Sequence, residues 1–287
     1  MLRLLFKPLS FLSLPSLHAL GGLLGQVAFA FMPNAKRLII KNLTQSKLFQ
    51  TDEKITKVQR IVTIETGKSF LETLAIWQKS DIEVLGWVHT CHNWHFVDEA
   101  LTKGKGIIFI TPHLGCFEIT SIYYGNQHPI TVLYRPPKLK WLESLILHGR
   151  TRTGVTLATA NAGGVRKLMQ ALKRGEAIGI LPDQIPAAGE GEWADFFGKP
   201  AYTMSLASKL AEKTGATVIM AFGERLAHGA GYALHLRKVD SIATPALLNN
   251  AIEQQIAQKP DQYLWSYNRY KIRAHALKKQ AQQINLL

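Results

Sequence analysis

Gly106-Ile107-Ile108-Phe109-Ile110-Thr111-Pro112-His113-Leu114-Gly115-Cys116-Phe117-Glu118 is the stretch on which the reading of this chain turns. Its opening is a short apolar run, rich in β-branched side chains and closed by proline, which predicts a strand buried on both faces. Three later runs share that character: Ile130–Tyr134, Ala177–Leu181 and Thr217–Phe222. Between them lie segments of helical periodicity, notably Val165–Lys173 and Met204–Lys213, the second with Thr203 as an expected N-cap. A longer helix is expected over Asp52–Lys79, where Ile55, Val58, Ile61, Val62, Leu71 and Leu74 recur on a helical period and Asp52 is the expected cap. Strands alternating with helices predict an α/β fold, a largely parallel central sheet flanked by helices.

Each predicted strand runs into polar residues: Pro112-His113, Arg135, Pro182-Asp183 and Glu224-Arg225. Ligands of open α/β sheets gather at the carboxyl ends of the strands. A base, two cations and carboxylates at four successive ends therefore point to a site. Within it, His113 and Glu118 stand five residues apart, which on one continuous helix would splay them by about 140°. They meet only if His113 is in a loop and Glu118 in the helix after it, with Gly115 making the turn. The carboxylate could then accept the imidazole Nδ1–H and leave Nε2 free as a general base. Cys116, among Leu114, Phe117 and Ile119, is expected to be an inert buried thiol and not a nucleophile.

Composition narrows the partners. At 47% hydrophobic and 19% charged residues, the chain suits neither disorder nor a polytopic membrane protein. Lys and Arg exceed Asp and Glu by 34 to 20, a formal charge of +14, so anionic partners are expected. The basic residues recur in small clusters at Lys36–Arg37, Lys138–Lys140, Arg166–Lys167 and Lys278–Lys279, without any nucleic-acid-binding signature. A membrane and anionic lipid are expected, and no nucleic acid. The two cysteines, Cys91 and Cys116, are too few for a disulfide framework and are read as reduced thiols.

From Pro8 to Pro33 no charged residue occurs. That length could cross a bilayer core of ~30 Å as a helix, or lie along its interface. Residues 1–35 are accordingly read as an N-terminal membrane-anchoring helix and 36–287 as the main domain. Arg3 and Lys7 precede the segment while Lys36, Arg37, Lys41 and Lys47 follow it, which favours a cytoplasmic main domain. Ala28-Phe29-Ala30 resembles a signal-peptide cleavage site, but the basic flank behind it opposes export. Gly21 and Gly25 have a spacing that can pack two helices.

Other patterns carry less. His89, His92 and His95 with Cys91 lack the second half of a zinc site, and no metal is expected. Gly189-x-Gly191-x-x-Ala194 mimics a dinucleotide fingerprint, but Glu190 and Glu192 would repel a pyrophosphate, and no cofactor is expected. Phe196, Phe197 and Trp193 read equally as core or as the wall of an apolar ligand groove.

His113–Glu118 resembles the His-x4-Glu/Asp signature of glycerolipid and lipid A acyltransferases. The late, or secondary, acyltransferases of lipopolysaccharide synthesis are matched further. Lys105-Gly106, Tyr134-Arg135-Pro136 and Leu181-Pro182-Asp183-Gln184 carry that resemblance, as do Phe196-Phe197-Gly198-Lys199-Pro200 and Tyr263-Leu264-Trp265-Ser266-Tyr267-Asn268-Arg269. Cys116-Phe117 stands where the family often has Asn-Trp. The resemblance implies a glycerolipid acyltransferase-like fold and transfer of a fatty-acyl group from acyl carrier protein to a hydroxyl of a lipid A precursor of the Kdo-lipid IVA type. It implies a bacterial inner-membrane enzyme working on the cytoplasmic side. Arg135, or backbone N–H groups near Gly115, would stabilise the oxyanion. Arg135, Asp183, Arg225 and Arg269 are the expected substrate-binding residues. The alternatives are acylation of another membrane lipid, such as a lysophospholipid or glycolipid, or a non-catalytic protein that binds anionic lipid.

Overall fold

The computed structural model describes residues 6–137 and 139–271. Arg3, Lys138 and the Lys278–Lys279 pair lie outside the described residues. After a 3₁₀ turn at Lys7–Phe11, helix α1 covers Leu14–Ala30, with the Ser13 hydroxyl accepting the Ser16 N–H and Pro15 in the first turn, where no N–H is missed. Pro33 opens α2 (Pro33–Ser46), bent by 103° from α1. The uncharged stretch is thus broken at both ends, and α1, with 17 residues, is roughly 25 Å long. Among the described residues no single helix is long and apolar enough to cross a membrane. Helix α3 (Asp52–Ile76) is capped by Thr51, whose hydroxyl accepts the Lys54 N–H; Asp52, the expected cap, lies inside the first turn.

The α/β portion follows: α4 (Asp81–Leu85), β1 (Val88–His92), α5 (His95–Lys103), β2 (Ile107–Ile110), α6 (Glu118–Gly125) and β3 (Ile130–Tyr134). Next come α7 (Lys140–Arg150), β4 (Val155–Thr159), α8 (Ala162–Lys173) and β5 (Ala177–Ile180). A hairpin of β6 (Gly191–Phe196) and β7 (Lys199–Met204) leads to α9 (Leu206–Thr214), β8 (Thr217–Arg225), β9 (Tyr232–Val239) and α10 (Pro245–Gln258). Thr203, the expected cap of α9, is instead a buried β7 residue, and Ser205 stands at the cap position.

The sheet order is β1-β9-β8-β2-β5-β3-β4. β8, β2, β5, β3 and β4 are mutually parallel, β9 is antiparallel to β8, and β1 runs parallel to β9. Alternate residues of the central strands feed two cores: Ile108, Ile110, Ile178 and Ile180 on one face, Ile107, Phe109, Ala177 and Ile219 on the other. Phe196 and Phe197 are buried with Trp265 in the first of these, which settles their role as core.

Helix α1 is fastened to α3 by a seam of small residues. A Cβ on Gly21 would sit 2.8 Å from the Gly67 carbonyl, and one on Gly25 would overlap the Thr63 carbonyl. The glycine spacing seen in the sequence therefore serves a contact inside the chain. Leu14, Leu17 and His18 turn inward, while Leu20, Leu23, Leu24 and Val27 leave the opposite face apolar and exposed.

Candidate active site

The turn after β2 places His113. Gly115 has φ +60°, and any Cβ there would collide with the Gly223 carbonyl of β8. Backbone bonds lock this turn to its neighbours: the Gly115 N–H donates to the Gln262 carbonyl (3.1 Å), Cys116 to Gly223 (2.8 Å), and Leu264 to His113 (3.0 Å). Glu118 opens α6, so the sequence expectation of a loop histidine and a helical glutamate holds.

Their pairing does not. The carboxylate beside the imidazole is Asp183, from the end of β5. Its Oδ1 lies 2.8 Å from His113 Nδ1, and its Oδ2 accepts the His113 backbone N–H at 2.9 Å. Glu118 turns away and is gripped by Arg150, with Nε at 2.9 and 3.1 Å from its two oxygens and Nη2 at 2.5 Å. The reason is local: the backbone turn at Gly115 carries α6 away from the imidazole, whereas Asp183 leaves the adjacent parallel strand facing it.

Asp183 is buried, which alone would raise its carboxyl pKa. The attraction of His113 and the two hydrogen bonds from it outweigh burial and hold the carboxyl below its usual range. An ionised Asp183 fixes the proton on Nδ1, so Nε2 carries the basic lone pair. The Gln184 side-chain amide donates to that Nε2 at 3.2 Å, completing a tautomer ready to accept a proton.

Nε2 faces a cavity of about 190 Å³ lined by His113, Arg135, Arg150, Gln184, Leu133 and Met204, among others. It joins a second of about 370 Å³ through Leu133, Arg135, Ala160 and Met204, giving a groove with an apolar wall and a cationic rim. Arg150 and Leu181 connect it to a small apolar recess behind Glu118. Arg135 is partly exposed and 3.8 Å from Glu190.

Three sequence expectations need correction. Arg225 lies inside the protein, its guanidinium bonded to Glu72, Glu65 and the Gly115 carbonyl, and it does not reach the groove at His113. Arg269 is likewise buried, donating to the Tyr202 carbonyl and the Thr203 hydroxyl. The backbone N–H groups of Gly115 and Cys116 already have acceptors and are not an oxyanion site. Glu224 pairs with His235 and Lys259. Of the histidine run, His89 bonds to the Ala230 carbonyl and His92 stacks on His235.

Sequence reasoning missed Arg150 and the part played by Gln184. Arg150 sits at the end of α7, where Gly149 lets the helix lie against the Trp77 ring and the guanidinium covers it at 5.8 Å. Only the pattern Gly-Arg at a helix end hinted at this, and that is no specific signal. Cys116 is buried, and burial followed by the negative charge of Glu72 pushes its thiol pKa well up, as expected for an inert side chain.

The description "Bacterial lipid A biosynthesis acyltransferase" belongs to a family model that matches residues 5–272. The chain is 25% identical over 270 residues to the Escherichia coli K12 lipid A biosynthesis lauroyltransferase, covering 90% of this chain and 86% of that protein. It is 26% identical over 266 residues to the palmitoleoyltransferase of the same organism, with the same coverage. A Haemophilus influenzae lipid A biosynthesis acyltransferase is 25% identical over 231 residues, covering 77% of this chain and 69% of that protein. With an α/β sheet carrying a carboxylate-bound histidine at a strand end, and a match over most of its length, the chain belongs to the bacterial lipid A biosynthesis acyltransferase family.

Proposed function

We propose that the enzyme transfers a fatty-acyl group from acyl carrier protein thioester to a hydroxyl of a lipid A precursor of the Kdo-lipid IVA type. The observation that carries this reading is His113, held through Nδ1 by Asp183, in a cavity rimmed by Arg135 and Arg150 that shares Leu133, Arg135, Ala160 and Met204 with a more apolar one. The acceptor hydroxyl displaces Gln184 from Nε2 and gives its proton to the imidazole as it attacks the thioester carbonyl. Asp183 stabilises the imidazolium that forms. The tetrahedral intermediate then expels the thiolate, which takes the proton back from His113. Arg150, aimed by Glu118, and Arg135 supply positive charge for the oxyanion and for acceptor phosphates. Glu118 thus acts through Arg150.

Supporting a site at the cytoplasmic surface of the bacterial inner membrane are the exposed apolar face of α1 and the basic flank that follows it. In this reading α1 lies in the interface. Replacing His113 by Ala should lower turnover roughly 10²–10⁴-fold with lipid binding little changed. Near-normal turnover of the purified variant would overturn the mechanism. Mass spectrometry of lipid A from cells with and without the gene tests the substrate: an unchanged lipid A with an altered phospholipid or glycolipid would redirect it.

A further inference from the structure

Away from His113, helices α1, α2 and α3 border an open cavity of about 550 Å³ lined by Gln26, Lys36, Thr56, Gln59, Arg60 and Thr63. None of these residues lines the groove at His113. The cavity has two cations and no carboxylate in its wall, and neither Lys36 nor Arg60 has an acidic partner among the described residues. Gln59, 8% exposed as a residue, lines the cavity and makes no side-chain hydrogen bond to the described residues, so its amide is open to solvent there. That amide and the Thr56 hydroxyl add neutral donors beside the two cations, a lining suited to an anionic oxygen ligand. Leu23 and Val27, flanking Gln26 on α1, are exposed beside it.

We propose that this cavity binds the phosphodiester headgroup of an anionic phospholipid, separately from the acyl-transfer site. Arg60 offers a planar fork to two phosphate oxygens, Lys36 a point charge, and Gln59 and Thr56 neutral donors. The acyl chains of such a lipid run along the exposed face of α1. The inference rests on the interfacial seat of α1 proposed above.

The test is co-sedimentation of the full chain with vesicles of phosphatidylcholine alone or mixed equally with phosphatidylglycerol. Wild type should bind both kinds, the mixed vesicles more tightly. Lys36→Gln with Arg60→Gln should lose roughly ten- to thirtyfold in affinity for the mixed vesicles, from the attraction of two basic side chains to an anionic surface, and nothing for phosphatidylcholine. Gln59→Leu, which changes no charge, should weaken mixed-vesicle binding several-fold. The control pair Arg166→Gln with Lys167→Gln, on the exposed face of α8, should leave it unchanged. An equal loss in the control pair, or wild-type binding by Gln59→Leu, would show diffuse attraction and overturn the site. Displacement of wild type from mixed vesicles by inorganic phosphate at equal phosphorus would make it a free-phosphate site and overturn the lipid assignment. Failure to bind either vesicle would sink the interfacial seat and this site together, whereas equal binding to both would sink this site alone.

Discussion

Replacing Asp183 by Asn tests which carboxylate serves the base. The aspartate accepts twice from the same residue, from His113 Nδ1 at 2.8 Å and from its backbone N–H at 2.9 Å. An asparagine has one acceptor and one donor for two donors. If its oxygen keeps Nδ1–H, its NH₂ faces the backbone N–H; if it flips, it holds the tautomer with the proton on Nε2, which cannot act as a base. Loss of one charge-assisted bond to the imidazolium costs about 1.5–3 kcal/mol, and the wrong tautomer adds to that. Turnover should therefore fall roughly 10²–10⁴-fold, with the acceptor's KM changed much less. Glu118→Gln keeps one good acceptor for Arg150 and should fall less. The assay is transfer of a labelled acyl group from a thioester donor to a lipid A precursor, on variants whose melting curves show a folded protein. If Asp183→Asn kept more than about a tenth of wild-type turnover while Glu118→Gln lost everything, Glu118 would be the partner of His113 during catalysis and the reasoning would fail.

Four further outcomes follow from the packing. Gly25→Ala drives a methyl into the Thr63 carbonyl and should cost about 1–3 kcal/mol, read as a lower Tm; an unchanged Tm would mean that α1 is not docked as described. Arg225→Met leaves Glu72 charged and buried, so a loss of about 3–5 kcal/mol is expected at neutral pH. Burial tends to raise the Glu72 carboxyl, but Arg225 and His18 hold it well below its unfolded value, so its stabilisation is present above about pH 4 and disappears as pH falls through the lowered value. Glu72→Gln should accordingly flatten the acid limb of the stability profile, and an identical limb would refute the linkage. Cys116→Ala should retain most turnover, and an acyl group trapped on Cys116 would show otherwise.

How much of this was legible beforehand depends on the range of the interaction. Ile107–Ile110, Ile130–Tyr134 and Ala177–Ile180 are continuous apolar runs because both their faces are covered, and such runs announce themselves. The strands that went unread are of other kinds. β1 is Val-His-Thr-Cys-His at the sheet edge, polar and half-exposed, and β9 carries His235, Arg237 and Lys238 among its apolar residues. β6 alternates acids with apolar residues inside a hairpin that stands apart from the main sheet. In the site, His113 and the tip of each strand could be placed from position alone. The partner of Nδ1 could not, because Asp183 is 70 residues away and only the adjacency of β2 and β5 brings it near. Glu65 and Glu72 did leave a trace: seven residues apart, both stand on the apolar face of a helix, where an acid requires a buried cation.

That cation links two parts of the chain that a purification scheme would separate. Glu72 receives His18 from α1 at 2.9 Å, Tyr232 from β9 at 2.8 Å and Arg225 from β8, and Arg225 reaches on to the Gly115 carbonyl in the turn that carries His113. Deleting α1 to obtain a more tractable protein would strip His18 from this relay and uncover Gly67 on α3. The turn that carries His113 would then rest on a half-dismantled support. Weak turnover by such a shortened chain would record damage to the floor of the candidate site, and would invite the mistaken inference that the missing helix matters only as a tether.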